Sequence, residues 1–252
     1  MKKHYLFVLF VFILTWLLWL PAVLNSYFQV PNVFLILSMF ANAVPSVMGI
    51  VFLNKYQKGW FKSSFKIRIP IYVMAMIILY IPIQGIITFF ITKSFEPTLA
   101  IDASPLNVLT MFFMIMIIGG PLGEEFGWRG YLQGQITQKS ILKGTLFLGI
   151  LWSLWHLPLF FMEATVQSQI PFYQFFLQNT LFAFYYTWFY QRTGGSIFWM
   201  IIFHTVANVT SAVIPYWQSD LGRWIGFIIL LVGYLLLPKK GAGDVHNVGE
   251  VI

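Results

Sequence analysis

The sequence predicts an all-α fold, a polytopic membrane bundle of eight transmembrane helices, and three observations carry that expectation. Only 9% of the 252 residues are charged and 59% are hydrophobic, whereas an ordinary soluble domain has about 25% charged residues. Eight apolar runs follow one another along the chain, most of them near the ~20 residues a helix needs to cross the hydrocarbon. The basic residues gather in alternate loops between those runs, as the positive-inside rule requires.

The first helix is expected over 5–24. Met1-Lys2-Lys3 ahead of an apolar run has the look of a secretory leader. The run is too long for a leader core, however, and Pro21-Ala22-Val23-Leu24-Asn25 offers no small-x-small cleavage site, so a retained span is expected. Pro31-Asn32 opens the second helix, 33–53, and the basic loop 54–69 leads to the third, 70–92, which closes before Glu96-Pro97. The fourth, 107–119, is short. It meets Gly119-Gly120-Pro121 before a full crossing, so it spans only if the segment after it continues helically within protein or a water-filled cavity. The fifth covers 142–162. Pro171 precedes the sixth at 172–190, Gly194-Gly195 the seventh at 196–214, and the eighth, 223–237, ends at Pro238. A single transmembrane domain, 1–238, with a short cytoplasmic tail at 239–252, is the expected organisation.

Orientation follows from lysine and arginine. With the N-terminus in the cytoplasm, all basic residues fall inside except Lys93 and Arg223. Both termini are then cytoplasmic, and localisation is to the cell membrane as a multi-pass protein. The net charge of +7 is accounted for by these loops, which removes the case for nucleic acid as a partner. No cysteine is present, so disulfides, thiolate metal sites and a cysteine nucleophile are excluded.

Against this apolar background, three short segments hold the ionisable groups that lie within spans. They are Gly123-Glu124-Glu125-Phe126-Gly127-Trp128-Arg129-Gly130, Trp152-Ser153-Leu154-Trp155-His156 and His204-Thr205-Val206-Ala207-Asn208. Ionisable side chains at membrane depth cost several kcal/mol, from roughly 3 upward, and usually face a cavity. On the expected topology, His204 lies about 12 Å and His156 about 21 Å from the cytoplasmic start of their helices at 1.5 Å per residue. Glu124 and Glu125 end a helix descending from outside. All three segments can therefore reach one cavity in the inner half of the bilayer.

Their spacing suggests chemistry. Glu125 and Arg129, four apart, share a helical face and can pair, which leaves Glu124 about 100° away for another partner. Pro121 as an early helical residue would put both glutamates in a first turn, where the helix dipole favours anions. Trp152 is co-facial with His156, and His204 with Asn208. Each segment has a plain structural alternative: a charged helix end, a hydrogen-bonded packing histidine, or an interhelical His–Asn bond. Together, a glutamate with a histidine can activate water as a general base, and histidine and asparagine donors can hold an oxyanion. The inventory fits hydrolysis of an acyl bond.

Glu-Glu-x-x-x-Arg, aromatic-x-x-x-His and His-x-x-x-Asn, in that order on an eight-helix chain, resemble the CPBP family of intramembrane proteases. That family contains the type II CAAX prenyl endopeptidases and the bacterial Abi group, linked to bacteriocin processing and self-immunity. PLGEEFGWRGYL and LWSLWHLPLF look especially like the bacterial branch, and the motif-bearing core spans 106–214. The resemblance implies an intramembrane endopeptidase whose catalytic residues are Glu124, Glu125, Arg129, His156, His204 and Asn208. Glu124 and His156 would activate water, His204 and Asn208 would hold the oxyanion, and Glu125 and Arg129 would support the site. The second motif usually opens with Phe. Here the residue is Trp152, which keeps an aromatic shelf and implies a change of pocket shape alone.

The expected partners are a membrane-associated peptide or protein substrate and the lipid bilayer. A non-catalytic immunity or scaffold protein is the alternative, and an ion-coupled transporter is disfavoured because no inverted repeat is visible. No cofactor is favoured, although zinc is possible. Two histidines and a glutamate could form a three-ligand site, but the chain lacks His-Glu-x-x-His. The topology is directly testable: reporter fusions within loop 54–69 and after residue 252 should both read cytoplasmic, and an extracellular signal from either would reject the arrangement.

Overall fold

The computed structural model describes residues 2–101, 103–163 and 165–238, so the expected tail at 239–252 lies outside the described residues. Among the described residues every regular element is helical. In chain order these are α1 (Lys3–Asn25), α2 (Asn32–Ser38), α3 (Val44–Tyr56), α4 (Trp60–Ser64), α5 (Ile71–Phe95), α6 (Pro105–Ile118) and α7 (Pro121–Glu125). A π-helix (Phe126–Gln133) follows, then α8 (Gly134–Ile136), α9 (Ile141–Trp155), α10 (Phe172–Arg192), α11 (Ile197–Val213) and α12 (Asp220–Leu236). Short 3₁₀ turns join several of them.

Each stretch expected to be helical is helical. Five are long and apolar enough to cross a membrane: Lys3–Asn25, Asn32–Tyr56, Ile71–Phe95, Pro105–Ile136 and Ile141–Phe161. Ile197–Val213 is a shorter apolar helix. The fourth stretch does run on through the Glu-Glu segment, with a break at Gly120, whose φ of 112° only glycine adopts comfortably. The fifth differs from expectation. Its α-helix stops at Trp155, and Leu157–Phe161 forms a 3₁₀ turn, because Pro158 lacks the N–H needed to continue the ladder.

Serine caps set three helix starts. Ser140, Ser196 and Ser219 accept from the backbone N–H groups of Lys143, Trp199 and Gly222, which satisfies donors otherwise orphaned at a helix N-terminus.

The chain forms two compact units, each assembled from two stretches. The first comprises Met1–Trp60 with Ile118–Ala183, and the second Phe61–Ile117 with Phe184–Ile252. In the first unit, the core is aromatic. Phe7 of α1 meets Phe52, Trp128 and Tyr131 at ring-centroid distances of 5.6, 6.2 and 4.9 Å, and Trp19 meets Trp155 at 4.8 Å. Glycines let α3 and the motif segment touch backbone to backbone. A Cβ at Gly49 would strike the Phe126 carbonyl oxygen, and one at Gly127 would strike that of Pro45. Close approach through small residues is how helices gain dispersion contacts where lipid removes the hydrophobic drive. The Phe126 N–H also donates to Ser46 Oγ at 3.2 Å.

The second unit is tied by polar groups on otherwise apolar helices. Tyr185 donates to the Leu230 carbonyl at 2.6 Å and lies 2.7 Å from the Tyr80 hydroxyl. Gln84 donates to Thr88 at 2.8 Å, and Ser219 to Glu96 at 2.7 Å. Trp199 Nε1 donates to the Ile67 carbonyl at 3.0 Å. No residue of α6 is buried within the protein, as suits an apolar helix facing lipid.

Candidate active site

The first unit collects the ionisable residues of two motifs around one side chain, Trp152. Pro121 takes the first position of α7, as its fixed φ favours. Glu124 falls in the first turn, but Glu125 ends α7, so the dipole argument reaches only the former. From Phe126 onward the backbone winds as a π-helix, where an ordinary α-helix was expected; such insertions are frequent at functional sites. Arg129 belongs to that π-helix and still faces Glu125. Its Nη1 donates to Glu125 Oε1 at 2.9 Å, and both side chains are fully buried.

Trp152 contacts three of the implied site residues in three ways. Its indole Nε1 donates to Glu124 Oε2 at 2.6 Å. Its ring lies under the Arg129 guanidinium, 4.2 Å from the centroid. Its carbonyl oxygen lies 2.7 Å from His156 Nδ1. A carbonyl only accepts, so this bond places a ring proton on Nδ1 and makes Nε2 the lone-pair nitrogen of the neutral form. That bond exists because α9 stops where it does: the Trp152 carbonyl is among the last four, which have no intrahelical partner. His156 is the C-cap residue rather than a mid-helix residue. Its ring meets Trp152 edge-on at 5.8 Å instead of stacking on it, with Trp155 at 4.7 Å and Phe175 at 5.2 Å completing an aromatic wall.

Glu124 also lies against Gly120. A Cβ there would come within 2.5 Å of Glu124 Oε1, so a larger residue would displace the carboxylate, and the positive φ favours glycine besides. The sequence did not mark Gly120 as a site residue. The signal was present in Gly119-Gly120-Pro121, a double glycine immediately before a helix start.

His204 and Asn208 belong to the second unit, four residues apart on α11 as their spacing implied. His204 is buried, and its ring meets Tyr186 at 5.8 Å. Asn208 is half-buried. Within each unit, no three His, Cys, Asp or Glu among the described residues cluster as a metal site would need.

These features define an all-helical, multi-pass membrane protein with a buried carboxylate–indole–imidazole cluster. Residues 106–210 match the family model described as type II CAAX prenyl endopeptidase Rce1-like. The chain is also 24% identical, over 262 aligned residues, to CAAX prenyl protease 2 of Methanococcus maripaludis, an alignment covering 93% of each protein. The family resemblance read from the three motifs is thereby shown, and the matched region contains all three. The likeness supports a protease.

The buried ion pair gives a direct test of the geometry. Glu125→Ala should destabilise the detergent-purified protein by about 3–5 kcal/mol, since it strips a buried guanidinium of its carboxylate. The double variant Glu125→Ala with Arg129→Ala should lose less than the two single losses added together. Thermal unfolding of the four proteins measures the coupling, and strict additivity would show that the pair does not act as one.

Proposed function

We propose that this chain is an intramembrane endopeptidase that hydrolyses a peptide bond of a membrane-associated protein or peptide, through a water activated by Glu124 and His156. The observation that carries the reading is the double attachment of Trp152, whose indole holds Glu124 and whose carbonyl holds His156. Glu124 takes the proton from water, and the water oxygen attacks the substrate carbonyl. The His156 ring, in its neutral form with the lone pair at Nε2, is suited to accept a hydrogen bond from the same water, and the protonated Glu124 returns its proton to the leaving amine as the C–N bond breaks. His204 and Asn208 supply donors to the tetrahedral oxyanion. Glu125 and Arg129 brace the segment from which Glu124 projects.

Eight spans with both termini cytoplasmic are part of the proposal. The loop charges support it, and so do helices at all eight expected stretches. The relatives' names point to a prenylated C-terminal CAAX peptide as the first substrate class to try. The site is proposed to work without stoichiometric zinc, because Asn208 is a poor zinc ligand and a buried glutamate beside a histidine can activate water unaided.

The test compares protein reconstituted in lipid with single-residue variants. Glu124→Ala and His156→Ala should each abolish cleavage at near-normal membrane levels. Asn208→Ala should retain a trace, since one oxyanion donor is worth on the order of 10²–10³ in rate. Full activity from Glu124→Gln would sink the proteolytic reading in favour of a binding or scaffold role, because an amide cannot take the proton. Activity should also survive exhaustive treatment with a strong chelator. One zinc per chain, with activity lost on chelation and restored by zinc, would instead make Glu124, His156 and His204 its ligands.

A further inference from the structure

We propose that Trp152 is a positioning residue for Glu124, holding the carboxylate through an indole N–H that the motif's usual phenylalanine does not have. The inference rests on the reading of Glu124 as the base. It also goes beyond the aromatic shelf that the sequence implied, because a shelf needs only a ring face.

Three observations bear on the bond. It is short, 2.6 Å from Nε1 to Oε2, within the range of charge-assisted hydrogen bonds, and both residues are buried, so water competes little for either end. The ring is fixed in its plane: Arg129 lies 4.2 Å over its face, and a cation there draws π-density from the indole and strengthens the N–H as a donor. The opposite carboxylate oxygen lies over Gly120, in space that a Cβ there would occupy. Glu124 is therefore held at one oxygen by the indole edge, with bare backbone beside the other.

That grip matters for a general base, whose rate depends on presenting one lone pair at the right distance and angle. A glutamate has three rotatable bonds. Without the indole N–H it would sample other rotamers, and the fraction of time spent aimed at water would fall. The same residue also sets the tautomer of His156 through its carbonyl, but that contact is backbone and survives any side-chain change. Substitution of the Trp152 side chain therefore separates the two roles.

The experiment uses the full chain in lipid nanodiscs with indole-¹⁵N tryptophan, and a quenched fluorescent peptide ending in a farnesylated CAAX sequence. Trp152→Phe identifies the Trp152 indole resonance by its disappearance. Glu124→Gln should move that resonance upfield and leave the other indole signals in place. Trp152→Phe should lower kcat roughly 10- to 100-fold, the worth of one hydrogen bond to a charged group, with KM within about twofold. Placing 3-benzothienylalanine at position 152, which keeps the bicyclic ring and replaces N–H by sulfur, should give the same kcat loss as phenylalanine. The proposal is overturned if the resonance ignores Glu124→Gln, if the benzothienyl enzyme keeps full kcat, or if KM rises while kcat holds. Should the wild type leave the peptide intact, the proteolytic reading fails for that substrate, and the resonance shift alone decides whether Trp152 holds Glu124.

Discussion

Burying two carboxylates and a guanidinium among apolar helices is the constraint around which the motif-bearing unit is organised. An unpaired ion in such a setting costs several kcal/mol even after relaxation. The chain meets that cost with specific partners. Glu125 takes Arg129, Arg129 takes the face of Trp152, and Glu124 takes its indole N–H. The ion pair fixes the helix that bears Glu124, and the indole fixes where its carboxylate points.

The backbone is shaped to the same end. Gly49 and Gly127 allow α3 and the motif segment to meet main chain to main chain, which holds the π-helix where an added Cβ would push it away. Overpacking of this kind typically costs 1–3 kcal/mol. Gly120 performs a different task, taking a positive φ and clearing space for the Glu124 carboxylate. At the other motif, Pro158 ends α9 one turn past Trp152. The Trp152 carbonyl, among the last four of the helix, is the one that orients His156. A helix terminus, a glycine and a proline thus serve chemistry as much as topology.

Composition and the positions of Gly, Pro and the basic residues were enough to read off a helical membrane protein and to place helices near their observed ends. Those signals are local or additive: hydropathy sums along a segment, and proline breaks a ladder wherever it stands. The Glu125–Arg129 pair was legible for the same reason, since four-residue spacing brings two side chains together in a π-helix as it does in an α-helix. The motifs themselves were legible because ionisable residues stand out in an apolar chain, and a family likeness over 106–210 agrees with them.

Other features were beyond the reach of pattern. Read as an aromatic shelf, Trp152 proved to be a hydrogen-bond donor to a residue 28 positions earlier, and His156 proved to be a cap and not a mid-helix residue. The π-helix was unforeseen, because nothing in residue type announces an i→i+5 ladder until a neighbouring backbone presses on it. The sequence by itself determined which residues are polar, where helices start and stop, and which side chains share a helical face. Only the tertiary structure decided which indole meets which carboxylate, because that depends on distances between segments far apart in the chain, and no local period encodes them.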